Sequence, residues 1–415
     1  MTKPIADVAV IGAGVIGTCI AERLQHQGKQ VLLIDREGPG EGCSKGNAGH
    51  FATDIILPLA NFSTLLSVPK LLLDPMGPLT LRWSYLPKLL PWLMRFTWSA
   101  MPHKTAATIE ALKVLNRPSI TRFESLLNRT GLQALMTQRG ALTIYQNAKN
   151  AAKNQAHLEL VQQHGVKVEH LSGDQVRELE PALTQDVKGG LFYPDTAHTI
   201  NPYRLVTELS QVFLTSGGKF LKQNVQDFDF SAPEKVAIKT DGETIFAKEI
   251  VIACGAFSKP LARLIGHKVP LETERGYHLM LPTPGVEVTR PVTSFERSFV
   301  MTPMEEGLRL AGTVELAGLK AQENWQRATS LFDHASHILP GLNQTDGKTW
   351  MGHRPSLPDS LPVIGRSPKQ SRAIFAFGHQ HLGLTQAAVT ADLVDEIVFE
   401  RSEPTEISAY RVDRF

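Results

Sequence analysis

This chain of 415 residues is poor in cysteine, in long apolar runs and in net charge. Its three cysteines, Cys19, Cys43 and Cys254, are too few and too scattered for a disulfide framework or a zinc site. A reducing cytoplasm is therefore the default setting. No run of 18 apolar residues occurs, so no transmembrane helix is expected. Lys and Arg number 43 against 41 Asp and Glu, a formal net charge of +2. Nothing in that balance calls for a polyanion, and no nucleic-acid partner is expected. Internal repeats and low-complexity segments are also missing. With 42% hydrophobic and 20% charged residues, the composition excludes wholesale disorder, and the length allows two or three domains around a large core.

What is present is concentrated at the start. Ile5 to Ile11 is a short run rich in β-branched residues, as a buried parallel strand should be. Gly12, Gly14 and Gly17 follow at once and open a helix that Gly28 ends, and Val31 to Ile34 is a second buried strand with Asp35 at its carboxyl end. Gly12 allows the tight strand-to-helix turn, Gly14 lets a pyrophosphate approach the backbone, and Gly17 lets helix and strand pack closely. The helix start, with Val15 and Ile16, offers free N–H groups and a positive dipole end to phosphates. Asp35, 18 residues after Gly17, can accept hydrogen bonds from ribose hydroxyls and favours FAD or NAD over NADP; Arg36 beside it weakens that preference. Lys3 before an apolar run also suggests a signal peptide, but Asp7, the glycines, Glu22 and Arg23 argue against one.

The loop Gly42-Cys-Ser44-Lys-Gly46-Asn47-Ala48-Gly49-His50 is built of small residues that let backbone N–H groups crowd around a ligand. Residues 68–101 carry recurrent prolines, Pro75 among them, with Trp83, Trp92 and Trp98, and the cations Lys70, Arg82, Lys88 and Arg95 against a single Asp74. This stretch reads as short helices, either packed over the site or resting on an anionic membrane surface. Helical spacing follows over 103–135 and 150–164, a strand is expected at Val166 to Val168, and Asn201-Pro202 opens a helix. Phe220 to Phe228 reads as one strand, and a hairpin turns at Asp241-Gly242. A second buried strand–glycine junction lies at Ala253-Cys254-Gly255-Ala256. Residues 270–316 look antiparallel, and 319–339 helical around Trp325. Near the end, a second glycine loop, Gly378-His379-Gln380-His381-Leu382-Gly383-Leu384-Thr385, feeds a second helix start that can stabilise negative charge on a cofactor ring.

Taken in order, these blocks resemble the D-amino-acid oxidase superfamily of FAD enzymes, and within it the D-amino acid dehydrogenases. The resemblance covers nearly the whole chain. Its anchors are Gly12-x-Gly14-x-x-Gly17 with Asp35, Ser44…Asn47-Ala48-Gly49, Ala253 to Ala256, Gly352-x-Arg354-Pro355 with Pro358-Asp359 and Pro362-x-Ile364-Gly365, and Gly378-His379…Gly383-x-Thr385. It implies an α/β architecture with an α+β second part: a discontinuous Rossmann-like FAD domain over 1–60, 185–265 and 345–415. A substrate domain of antiparallel sheet plus helices is then expected over 61–184 and 266–344, with 68–101 as its helical, membrane-facing candidate subdomain.

The resemblance also assigns roles. The Ser44 to Gly49 loop lines the flavin, Val225 contacts the adenine through its backbone, and Gly383, Leu384 and Thr385 lie at the pyrimidine edge. Arg354 pairs with the substrate carboxylate, which agrees with the planar bidentate fork of a guanidinium; a buried structural ion pair is the competing role. The counterpart of the histidine that carries covalent FAD in related enzymes is Gly46, so FAD is expected to be non-covalent. His50 stands where relatives often have glutamine. Tyr277 and His278 are candidates to face substrate or simply to pack. His379 and His381 lack a third ligand at sensible spacing, so no metal is expected, and His381 is a candidate wall residue of the active site.

The implied reaction is oxidative deamination of a D-amino acid by hydride transfer from the α-carbon to flavin N5, giving an imino acid, then a 2-oxo acid and ammonia. D-Proline or a hydroxy-D-proline would give a cyclic imine. Electrons would pass to a quinone or an electron-transfer protein. The expected location is cytoplasmic, with peripheral contact at the inner membrane surface as an option. The alternatives are a glycine or sarcosine-type oxidase using oxygen and, in another class, a non-catalytic FAD-binding interaction module.

Overall fold

A computed structural model describes residues 5–74, 77–401 and 405–415, so Lys3 and Pro75 lie outside the described residues. Five parallel strands form the centre of the first sheet, in the order Lys219–Lys222, Val31–Asp35, Ala6–Ile11, Thr244–Ile252 and Ala373–Phe377. The Thr244–Ile252 strand serves two partners. Its first half continues the hairpin from Val236–Thr240, and its second half pairs Ala373–Phe377.

Alternation along Ala6–Ile11 sends Val8 and Val10 into one core and Ala9 and Ile11 into another, so both faces are covered. The helix Val15–His26 lies on the first face, where Cys19, Ile20 and Leu24 share a core with Ala387, Ala391 and Val394 of the C-terminal helix Gly383–Val398. The two glycine-opened helices are therefore packed side by side, with their N-termini at the carboxyl ends of the parallel strands.

The second sheet has nine strands, ordered Lys348–Ser356, Glu272–Leu281, Gly307–Leu316, Phe299–Met304, Val292–Ser294, Ala141–Tyr145, Gly189–Tyr193 and Glu169–Ser172, with Leu79–Leu81 also pairing Gly307–Leu316. A third, small sheet joins His50–Phe51, Ala197–Thr199 and Met136–Thr137. Gly189–Tyr193 and Lys348–Ser356 thus belong to the second sheet, although the sequence reading grouped their segments with the first.

Other local readings shift. Residues 220–228 form two strands, Lys219–Lys222 and Val225–Asp229, because Gln223 and Asn224 turn out between them, donating to Asp35 O (2.8 Å) and Asp241 Oδ1 (2.9 Å). The strand expected at 166–168 starts at Glu169, and the helix expected over 319–339 spans Gln326–Ser336.

Over 68–101 the described residues form parts of the helices Phe62–Leu72 and Leu86–Ser99. Leu89 and Trp92 turn inward against Leu81 and Leu316. Leu90, Met94 and Trp98, at four-residue steps, face out, as do Phe62, Leu66, Leu73 (83% exposed) and Trp83 (68% exposed). No helix among the described residues is long and apolar enough to cross a membrane.

Candidate active site

One elongated cavity of about 820 Å³ runs from the carboxyl ends of the parallel strands to the face of the second sheet. That is large for a small-molecule site and suits a long ligand. Gly12, Gly14, Val15 and Ile16 line its middle. Gly12 has φ +104°, and a Cβ there would stand 2.6 Å from Ala253 O, so the turn and its approach to the second junction both require glycine. The helix that follows has no acidic residue in its first turn and no side chain of its own capping it. Ser44 Oγ reaches in to accept from Val15 N at 2.9 Å. With no acidic residue in its first turn, the positive end of this helix leaves backbone N–H groups and dipole for a phosphate.

At one end Asp35 accepts from Ala13 N (2.8 Å) and Glu37 N (2.8 Å). Oδ1 also accepts from Gly38 N (3.3 Å), while Oδ2, with one donor, keeps a lone pair for a ligand hydroxyl. Arg36 lies 3.9 Å over the Phe257 ring, and both line this end with Gln223, Asn224, Val225, Cys254 and Gly255.

At the other end the cavity is walled by Asn47, Ala48, His50, Trp350, Arg354, His381, Gly383 and Leu384. Strand alternation puts Trp350, Gly352 and Arg354 on one face of Lys348–Ser356, and the register places Gly276 opposite Gly352. A Cβ on Gly276 would meet Arg354 Cζ at 2.5 Å, so the glycine makes room for the guanidinium. Arg354 donates from Nη1 to Thr313 O at 3.1 Å, and burial lowers its pKa, with Glu274 and Cys43 opposing. No carboxylate among the described residues lies within ion-pair distance of it. Glu274, opposite it in the sheet, acts on it through charge, but its carboxyl is bonded to Ser356 Oγ and makes no ion pair with the guanidinium within 4.0 Å. A bulge in Gly307–Leu316 holds Thr313 at φ +59°, a strained setting for a β-branched residue, and leaves its buried Oγ1 without a hydrogen bond.

Four residues singled out in the sequence stand behind the wall. Gly17 packs the helix on Gly12 O, and Gly49, at φ +74°, sits against Met304 and Thr199 O. Thr385 Oγ1 accepts from Ala52 N at 3.0 Å, tying the C-terminal helix start to the loop. His278 stacks on Trp350 and its Nδ1 bonds Gly46 O at 3.0 Å. Because a carbonyl only accepts, Nδ1 carries the proton. Burial, then the charge of Arg309, pulls His278 down to about 3, so it is a neutral clamp on the loop. Arg309 clamps the same loop by donating to Asn47 O.

Tyr277 borders the cavity, but its hydroxyl donates to Glu315 Oε2 (2.6 Å) and accepts from Asn324 N. His381 borders the cavity as a neutral imidazole, held to about 4 by burial and the nearby Arg354 charge. His379 also borders the cavity, but its Nε2 is bonded to Thr390 Oγ1 at 3.0 Å. Among the described residues, no group of three or more His, Cys, Asp or Glu is gathered to hold a metal. Trp350, Thr313, Phe257 and Gln223 were not anticipated; for Trp350, its two-residue step from Gly352 and Arg354 was the available signal.

A five-stranded parallel core whose first glycine turn, second junction and C-terminal helix start meet in one cavity, roofed by an antiparallel sheet carrying a half-buried arginine, defines a dinucleotide-dependent oxidoreductase. The chain belongs to the DAO family of FAD dependent oxidoreductases, whose profile matches residues 7–397. It is 34% identical to a D-amino-acid oxidase of Bradyrhizobium diazoefficiens, over 98% of each chain. It is 29% identical to a D-amino acid dehydrogenase of Paramagnetospirillum magneticum, again over 98% of each. In fold it is similar to the solved glycine oxidase of Geobacillus kaustophilus, with a TM-score of 0.74, 20% identity and 99% of each chain covered.

FAD is thus the cofactor, and the site fits it. The helix start with no acidic residue in its first turn suits a pyrophosphate, Asp35 suits a ribose without a phosphate, and Gly12 and Gly17 let the turn and helix pack where a Cβ could not.

Proposed function

We propose that the chain oxidises a D-amino acid, taking it by its carboxylate on Arg354 and converting it to an imino acid that water turns into a 2-oxo acid and ammonia. One observation carries this reading: Arg354 is a half-buried guanidinium in the wall of an FAD-sized cavity, with a backbone carbonyl and no carboxylate as its hydrogen-bond partner. Such a group is a site for an acidic ligand, and its planar fork sets that ligand's orientation. The names of the two relatives above support a D-amino acid; D-proline and hydroxy-D-proline stay within the same chemistry.

FAD, held without a covalent bond, supplies the two-electron acceptor for the substrate α-hydrogen. The chain's own residues bind and orient. Gly12, Gly14, Val15, Ile16 and Gly17 form the pyrophosphate turn, and Asp35 takes the ribose. Arg36, Val225, Cys254 and Gly255 form the adenosine end. Ser44, Asn47, Ala48, Gly49 and His50 form the loop along the flavin, and Gly383, Leu384 and Thr385 bring the second helix start to its far edge. Arg354 holds the carboxylate so that the α-carbon is in place for transfer, with neutral His381 as a wall; Tyr277 and His278 support this end from behind. In this reading 1–60, 185–265 and 345–415 make the cofactor domain, apart from the two strands that cross to the second sheet.

Mixing the FAD-loaded protein anaerobically with a panel of D-amino acids is expected to bleach the visible flavin band for at least one of them. A panel of D-amino acids and N-methyl amines that leaves the band intact would refute the enzyme reading.

The acceptor proposed is a quinone or an electron-transfer protein, met at the cytoplasmic face of the inner membrane. The outward apolar stripe of Phe62, Leu66, Leu90, Met94 and Trp98 supports this, flanked by exposed Lys70, Arg82, Lys88 and Arg95. Each exposed cation near an anionic surface contributes about 1 kcal/mol. The protein is expected to sediment with phosphatidylglycerol-containing vesicles at low salt and to lose most of that binding when Met94 and Trp98 are both replaced by Ser. Equal recovery with and without vesicles would leave the stripe without this role.

A further inference from the structure

We infer that His50, backed by Asp54, is the base that takes the proton from the substrate ammonium in the proposed reaction. The inference rests on the amino acid oxidation proposed above. Amine oxidation needs the nitrogen lone pair, whereas an amino acid arrives largely as the ammonium form at neutral pH. A base in the site lets the abundant ammonium form lose its proton there, whereas without one only the scarce free amine can react.

His50 is the first residue of the short strand His50–Phe51 and lines the same cavity as Arg354 and His381. Its Nε2 is buried with no hydrogen-bond partner. It points at Asp54, whose Oδ1 is buried and equally unpartnered, across 3.9 Å. Two orphaned buried atoms facing each other call for an explanation. A small turn of either side chain makes the hydrogen bond, and protonation of the ring adds the charge that pulls them together. With Nε2 given to Asp54, Nδ1 is the nitrogen left to address a ligand. A carboxyl behind an imidazole fixes its tautomer and stabilises the imidazolium that forms.

The neighbours favour Asp54 as the counter-charge. His198 faces His50 across the paired strand, His157 comes from the helix Ala151–Gln163, and Tyr193 from Gly189–Tyr193. Burial lowers the two histidines, His198 to about 4, and raises the tyrosine, so all three stay neutral near pH 7. Arg139 acts on His198. Burial also lowers His50 while Asp54 opposes it, so the ring is free to accept a proton. In the step an ammonium N–H bond breaks, the electron pair stays on nitrogen, and an imidazole N–H bond forms. The proton leaves to solvent when the product departs.

The test uses the flavin-loaded protein, its H50Q and D54N variants, and anaerobic flavin reduction measured across pH. H50Q is expected to reduce the flavin at least roughly 100-fold more slowly than wild type at pH 7. The deficit should shrink as pH rises toward the substrate ammonium pKa, because the amine then arrives deprotonated. D54N is expected to move the acid limb to lower pH by about one unit, since removing a neighbouring negative charge disfavours the imidazolium. The same shift should appear in the NMR titration of the His50 ring without substrate, assigned by its loss in H50Q. Flavin content of each variant separates loss of cofactor from loss of the base. A deficit in H50Q that is constant with pH, or a D54N protein whose acid limb and ring titration do not move, overturns the inference. If the wild-type flavin is not reduced by any amine, the proposed function falls and this inference with it.

Discussion

Replacing Arg354 with Met is expected to raise the KM of the amino acid substrate by about 100- to 1,000-fold while the flavin stays bound. The guanidinium makes one hydrogen bond in the protein, to Thr313 O, and no carboxylate lies within ion-pair distance of it, Glu274 opposite being bonded to Ser356. A substrate carboxylate would form two charge-assisted hydrogen bonds to it in a site that already holds the arginine desolvated. Removing one partner of such a pair costs about 2–5 kcal/mol, and the stated 100- to 1,000-fold, about 3–4 kcal/mol, lies within that range. The flavin is retained because the cofactor turn at Gly12 to Gly17 is built on other elements. Lys at the same position should recover only part of the loss, since an ammonium lacks the planar fork. Steady-state kinetics with the preferred amino acid checks this, and an unchanged KM in the Met variant would remove Arg354 from substrate binding.

A single methyl at Gly17 is expected to cost about 3 kcal/mol or more of stability and to yield protein with little flavin. The Cβ of Gly17→Ala would stand 1.8 Å from Gly12 O and 3.4 Å from the Ala253 side chain. Neither the turn at Gly12 nor the junction at Ala253 can yield, because each already fills the space beside the other. The Val15–His26 helix would have to lift from the sheet, opening the core of Cys19, Ile20 and Leu24. Gly28→Ala is the contrast: nothing lies within 4 Å of its Cβ, and only its φ of +91° is strained, so about 1–2 kcal/mol is expected. Urea unfolding and the ratio of flavin to protein absorbance measure both. Wild-type stability in Gly17→Ala would mean the helix is not packed as described.

The opening unit was legible because each of its constraints is local. The strand, the three glycines, the helix stop and Asp35 all lie within 35 residues, and each has one physical reason to be there. Arg354 was legible through its setting between Gly352 and Pro355. Strand partnership was not. Lys348–Ser356 follows the antiparallel segments in sequence and precedes the C-terminal helix, so its allegiance depends on register with Glu272–Leu281, which no local pattern reveals. His278 shares the cavity-side face of its strand with Gly276 and stands opposite Trp350 in register, but the Trp350 ring stacks on it and its Nδ1 is spent on Gly46 O, so it does not reach the cavity, which the local sequence does not show. The pairing of His50 with His198, and of Arg354 with Thr313, joins residues far apart in the chain and needed the fold itself.

The measurement that bears most directly on the proposed function is anaerobic, single-turnover flavin reduction by matched enantiomers of one amino acid. The D-enantiomer is expected to bleach the flavin of the wild-type protein rapidly, with the L-enantiomer slower by orders of magnitude, and Arg354→Met is expected to need far higher substrate for the same rate. Bleaching by the L-enantiomer alone, or by neither, would contradict it.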